Sequence, residues 1–151
     1  MAKFEPFIRV LSRATSTQVM ISALEDAGFT QVSQRCYKPF TSVEKYNLDW
    51  LIPQMPAILI ISPAFAMGMT PQLVRDIREK FSGPMICYPD WIPMPVEENL
   101  LDMRVAGCNF SIEIGSANPE TDLVQLLHKI VPAMERIKRH SIVRKKWKKA
   151  A

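Results

Sequence analysis

Glycine is scarce in this chain, with five residues in 151. Neither GxGxxG nor the GxxxxGK-Ser/Thr loop occurs, so the two glycine-rich turns that wrap nucleotide phosphates are excluded. Metal-ligating residues are equally sparse. The two histidines, His128 and His140, stand apart, and the three cysteines, Cys36, Cys87 and Cys108, form no CxxC pair, so a structural zinc site is excluded and no metal is expected. Their odd number argues against a disulfide framework. Each lies in or beside an apolar stretch, as small buried hydrophobes in a reducing compartment do. No apolar run reaches membrane-spanning length: the longest, Ala57 to Ile61 with its uncharged continuation to Met69, is short and rich in Pro and Gly. The opening MAKFEPFIRVLSR carries Glu5, Pro6, Arg9 and Arg13 where an export signal needs an unbroken apolar core. A cytoplasmic protein is expected.

What is present is enough for one core, since 48% of the residues are hydrophobic and the length suits a single domain. The net charge of +4 hides a division. Residues 1–135 carry eleven Lys/Arg against fifteen Asp/Glu, a net −4, whereas residues 136–151 carry eight Lys/Arg and no acid. The boundary is drawn as a domain over 1–138 and a basic tail over 139–151.

Along the chain, short apolar runs alternate with helical stripes. Phe7–Leu11 reads as a strand, and Thr15-Ser16-Thr17 then caps a helix whose stripe is Val19, Met20, Ala23, Leu24 and Ala27, with Gly28 at its end. Gln31–Tyr37 alternates weakly, as an edge strand does, and Ser42–Leu51 reads as a helix stopped by Pro53. Ala57–Ile61 is continuously apolar, the mark of a strand covered on both faces. Thr70-Pro71 opens a helix with Leu73, Val74, Ile77 and Phe81 inward, until Ser82-Gly83-Pro84 ends it. Met85–Tyr88 is a strand, Pro89–Pro95 a rigid loop, and Val96–Val105 a helix with Leu100, Leu101, Met103 and Val105 inward. Phe110–Ile114 is the last strand. Asn118-Pro119-Glu120 starts the final helix, striped by Leu123, Leu126, Leu127, Ile130, Val131, Met134 and Ile137, with a kink expected at Pro132. Five strand–helix units in about 125 residues predict an α/β, flavodoxin-like, doubly wound five-stranded parallel sheet with helices on both faces and its site at the strands' carboxyl ends.

Two stretches carry a family resemblance. Ala57–Phe81 resembles the strand, loop and helix around the phosphoacceptor of response-regulator receivers (CheY-like domains). Val105-Ala106-Gly107-Cys108-Asn109-Phe110 resembles the Ala-Gly-Ala-Asp-Asp-Tyr segment before their fifth strand. The resemblance covers residues 7–138. It implies an Asp after strand three, paired acids after strand one to hold Mg²⁺, Ser/Thr after strand four and Lys after strand five. Here Ser62 or Pro63, Ser12 and Arg13, Tyr88 or Pro89, and Ile114-Gly115 stand at those positions. Mg²⁺ lacks its oxygen anions there, and a serine with no adjacent base is a poor nucleophile. Ser62 also lacks the GxSxG elbow of a hydrolase. The reading is a degenerate pseudo-receiver, not an enzyme, with no cofactor, acting as an interaction module. The uncharged loop Pro63–Met69 either packs over the vacated pocket or faces a partner.

By the same resemblance, a protein partner or a homodimer uses the face of the fourth helix, fifth strand and fifth helix, which points to Glu97, Glu98 and Arg104. Trp91 in the proline loop is a further contact candidate, or a buried lid. The tail residues Arg136, Lys138, Arg139, Arg144, Lys145, Lys146, Lys148 and Lys149, with Trp147 among them, match a phosphate backbone, an acidic protein or an anionic lipid surface, or else form a solvated, frayed end. A DNA-associated regulator is therefore an alternative function, and a small-ligand-binding domain with its site near Ser12, Ser62 and Tyr88 is another.

Overall fold

The computed structural model describes residues 5–12, 17–36, 56–62, 70–88, 102–112 and 117–150. The elements are β1 (Ile8–Ser12), α1 (Thr17–Asp26), β2 (Val32–Cys36), β3 (Ile58–Ile61), α2 (Thr70–Lys80), β4 (Met85–Cys87), β5 (Phe110–Ser111) and α3 (Pro119–Ala150). Residues 102–106 add a short helical segment before β5. The expected helix over 42–51 lies outside the described residues.

Every strand pairing is parallel, in the order β2-β1-β3-β4-β5. Chain direction across the sheet reverses at β1, so the carboxyl ends of β1 and β3 flank the topological switch point. Side chains alternate between two separately packed faces. On one, Ile8, Val10, Ile58, Ile60, Ile86 and Ile112 meet Met20 and Leu24 of α1 and Leu123, Leu127 and Ile130 of α3. On the other, Leu11, Leu59, Ile61, Met85 and Cys87 meet Leu73, Val74 and Ile77 of α2, with Met103, Ala106 and Cys108. β3 has no exposed face, hence its unbroken Ile-Leu-Ile-Ile. Each such side chain contributes about 1.5–3 kcal/mol by leaving water.

Three expected inward residues point outward instead. Val19 is 60% exposed, Val105 73% and Ile137 70%. On α1 the pair four residues apart, Met20 and Leu24, faces the sheet, which turns Val19 away. Met103 and Ala106 fill the equivalent contact beside β5 and leave Val105 outside. Ile137 lies beyond the last buried residue of α3, Ile130, where the sheet has ended. α3 runs through Pro132 and on to Ala150, so the backbone of the basic tail is a helical continuation of the domain's last element. β5 is shorter than expected. Its line still extends by one bond, from Ile112 N–H to the Cys87 carbonyl at 2.9 Å, before residues 113–116 pass outside the described part.

The segment that resembled receivers most literally, Val105–Phe110, proves to be a joint. Gly107 has φ +145°, a conformation that favours glycine, and a Cβ there would approach Arg78 Cγ to a tight 3.2 Å. Arg78 donates to the Gly107 carbonyl from Nε (3.2 Å) and NH2 (2.8 Å), to the Phe81 and Gly83 carbonyls from NH1 (both 2.8 Å), and to Asn109 Oδ1 from NH2 (2.7 Å). That same Asn109 oxygen accepts the Met85 N–H at 2.9 Å. One guanidinium thus ties the end of α2 to the starts of β4 and β5. Beside it burial pushes the Cys108 thiol from 9.0 up to about 12, although Arg78 and Arg104 pull the other way.

Candidate functional site at the carboxyl edge of the sheet

β1 and β3 run in register from Ile8↔Ile58 to Leu11↔Ile61, which brings Ser12 and Ser62 side by side at the switch point. The Ser62 N–H donates to the Leu11 carbonyl at 2.9 Å, and the Tyr88 N–H to the Ile61 carbonyl at 3.0 Å. Strand alternation puts Ser12, Ser62 and Tyr88 on the α1/α3 side of three adjacent strands. Ser12 and Ser62 are each 1% exposed and Tyr88 5%. Gln34 of β2 reaches in, its Nε2 donating to Ser12 Oγ at 3.4 Å. Thr70, the first residue of α2, is buried near the same end of the fold. Among the described residues, this end of the sheet therefore carries buried hydroxyls, with the Gln34 amide beside them, at the edge of the aliphatic core.

The structure brings together three of the expected crevice residues, Ser12, Ser62 and Tyr88. Arg13 and Gly115 lie outside the described residues, as does the loop 63–69. Tyr88 is less a crevice group than expected, because its ring belongs to the core packed beneath α1 and α3. Sequence reasoning missed Gln34, which looked like an ordinary edge-strand residue. It also missed Arg9, buried on the opposite face of β1 with NH1 donating to Ser33 Oγ at 2.7 Å and its guanidinium 5.3 Å from the Phe7 ring. A lone Arg in a strand gives no sign of burial until its register partner is known.

Of the expected interaction residues, Trp91, Glu97 and Glu98 lie outside the described part. Arg104 is exposed, and its NH1 donates to Ser111 Oγ of the edge strand β5 at 3.4 Å. Val105 stands exposed next to it. In the tail, Arg136 is exposed. For Lys138, Arg139, Arg144, Lys145, Lys146, Trp147, Lys148 and Lys149 the backbone is helical. Among the described residues no helix is long and apolar enough to cross a membrane.

Comparison with known proteins bears on the fold. No protein-family model and no curated protein matches the chain. The crystal structure of a response regulator from Thermotoga maritima superposes with a TM-score of 0.60 over 85% of this chain and 99% of that one, at 18% identity. The fold is that of a response regulator. With that likeness, the crevice between β1 and β3 corresponds in place to the carboxyl-end site expected of a response-regulator fold. The residues after β1 are Arg13-Ala14-Thr15-Ser16, and those after β3 are Ser62-Pro63-Ala64-Phe65-Ala66-Met67-Gly68-Met69, with no carboxylate in either run.

Proposed function

We propose that this chain is a response-regulator-like domain that has lost phosphotransfer and acts by binding a protein partner. The observation that carries the reading is the donor set at the switch point. Ser12 ends β1 and Ser62 directly follows β3, both with neutral hydroxyls, and no Asp or Glu follows within either loop. Mg²⁺ is held by hard anionic oxygens, and these residues do not fit it. A neutral serine hydroxyl is also a weaker phosphoryl acceptor than the carboxylate that the resemblance implies at this position. Burial of both serines further favours a crevice that supports the fold.

The binding surface we assign is the edge beyond β5. Arg104, Val105 and Ser111 lie together there, a cation and a large exposed apolar side chain beside a strand that is outermost in the sheet among the described residues. Such an edge invites a partner. Incubation with a small phosphodonor and Mg²⁺, read by intact-protein mass, should leave the chain unmodified; stoichiometric acyl-phosphate would overturn the proposal. Affinity capture with the native chain and with Val105→Asp should then differ in a defined protein partner, and identical capture would remove this edge as the surface.

A further inference from the structure

At the amino edge of the sheet a pocket of about 290 Å³ lies between the end of α1, the approach to β1 and the middle of α3. Its walls include Glu5, Phe29, Thr30, His128, Val131 and Pro132. Glu5 is held there by Thr30, whose Oγ1 donates to Oε2 at 3.1 Å, and among the described residues no cation pairs with it. The Phe29 and His128 ring centroids lie 5.9 Å apart, with the rings tilted at 32° to each other. Pro132 has no N–H to offer the carbonyl of His128, four residues back, so that acceptor lacks its usual helical donor. α1 ends at the pocket rim, where Gly28 at φ +97° closes it, and its last turn contains no basic residue to offset the negative end of the helix dipole. A carboxylate, a helix carboxyl end, a carbonyl without its helical donor and an aromatic face together suit a guanidinium or ammonium group.

The chain supplies such groups itself. Residues 1–135 carry a net −4 and residues 136–149 eight cations. The same copy's tail is directed away from the pocket, because α3 continues as a helix and carries Arg144 about 18 Å beyond Pro132 at 1.5 Å per residue. A second copy, antiparallel and related by a two-fold axis near residue 138, brings residues 144–148 alongside residues 128–132. We propose that this pocket accepts a Lys or Arg side chain from residues 144–149 of a second copy, so that two chains fill each other's pockets. This surface is separate from the β5 edge and does not depend on the fate of the switch-point crevice.

The test is a charge-swap in trans on full-length chains, read by sedimentation. Wild type should show a concentration-dependent dimer that weakens with salt, since its pairs are partly exposed. Glu5→Gln should weaken it on the order of a hundredfold, about tenfold for each of the two charge-assisted bonds lost per dimer. Glu5→Arg alone, and Lys145→Glu/Lys146→Glu/Lys148→Glu alone, should each be monomeric, whereas their mixture should form a heterodimer in which both pockets are matched. Carbodiimide cross-linking of a mixed light and nitrogen-15-labelled sample should join Glu5 to a tail lysine in heavy–light pairs. A wild type that remains monomeric at millimolar concentration, a mixture with no heterodimer, or cross-links confined to one isotope would each overturn the proposal. So would a chain that binds duplex DNA as a monomer and shows none of these pairings.

Discussion

The two edges of the one sheet are held together by different means. At the amino edge Arg78 makes five hydrogen bonds, four of them to backbone carbonyls, and Gly107 and Asn109 are shaped around it. At the carboxyl edge, where a doubly wound fold places its chemistry, Ser12 and Ser62 are buried beside each other and Gln34 reaches Ser12 over a long 3.4 Å. The Gly107 turn therefore answers a structural need, a tight joint between α2, β4 and β5. At the carboxyl edge no carboxylate follows β1 or β3 in the sequence, and the side chains there are the buried hydroxyls of Ser12 and Ser62. Likeness in the joint is evidence of shape, and only the crevice bears on reaction.

That contrast can be broken most forcefully at the joint. Arg78→Met keeps much of the stem but leaves the carbonyls of Phe81, Gly83 and Gly107 without their donor, and it should lower the urea-unfolding free energy by about 3 kcal/mol. Gly107→Ala should cost about 1–3 kcal/mol in the same measurement, through its positive φ and its approach to Arg78. A shift of only a few tenths of a kcal/mol in both would show that the joint is not what holds this edge.

Cys108 gives a pH-dependent reading of the same region. Its thiol is raised in the folded chain from 9.0 to about 12, so the folded form holds a proton that the unfolded form releases. The contribution is complete below pH 9 and declines as pH rises from 9 toward 12, by on the order of 1 kcal/mol per pH unit. Stability followed to pH 10 in wild type and Cys108→Ala should show the extra decline only in wild type. Equal slopes would mean that burial does not raise the thiol's pKa.

The smallest effect is expected at the crevice. Ser62→Ala removes one buried hydroxyl, and it should change stability by about 1 kcal/mol. A loss as large as that of Arg78→Met would reverse the comparison and make the crevice a polar keystone of the fold.

Much of the fold was legible because the periodicities were clean. The all-apolar run at Ile58–Ile61 could only be a strand covered twice, and the Leu73, Val74, Ile77, Phe81 stripe could only be a helix with one buried side. Ser12, Ser62 and Tyr88 were recognisable as strand-end residues, though not the degree to which Tyr88 sinks into the core. Val19, Val105 and Ile137 misled for a common reason: an apolar residue at the margin of a stripe is turned in or out by the width and length of the surface opposite it, which local spacing does not report.

The amino-acid sequence by itself determined the order of strands and helices, the want of carboxylates after β1 and β3, and the separation of acidic domain from basic end, since each is a matter of residue type and short-range spacing. Tertiary structure alone decided that Arg78 finds carbonyls 3 to 29 residues away, that Glu5 meets Thr30 across 25 residues of chain, and that a pocket forms between α1 and α3. Those contacts join groups distant in sequence, and their partners are chosen by how the two helical layers settle on the sheet.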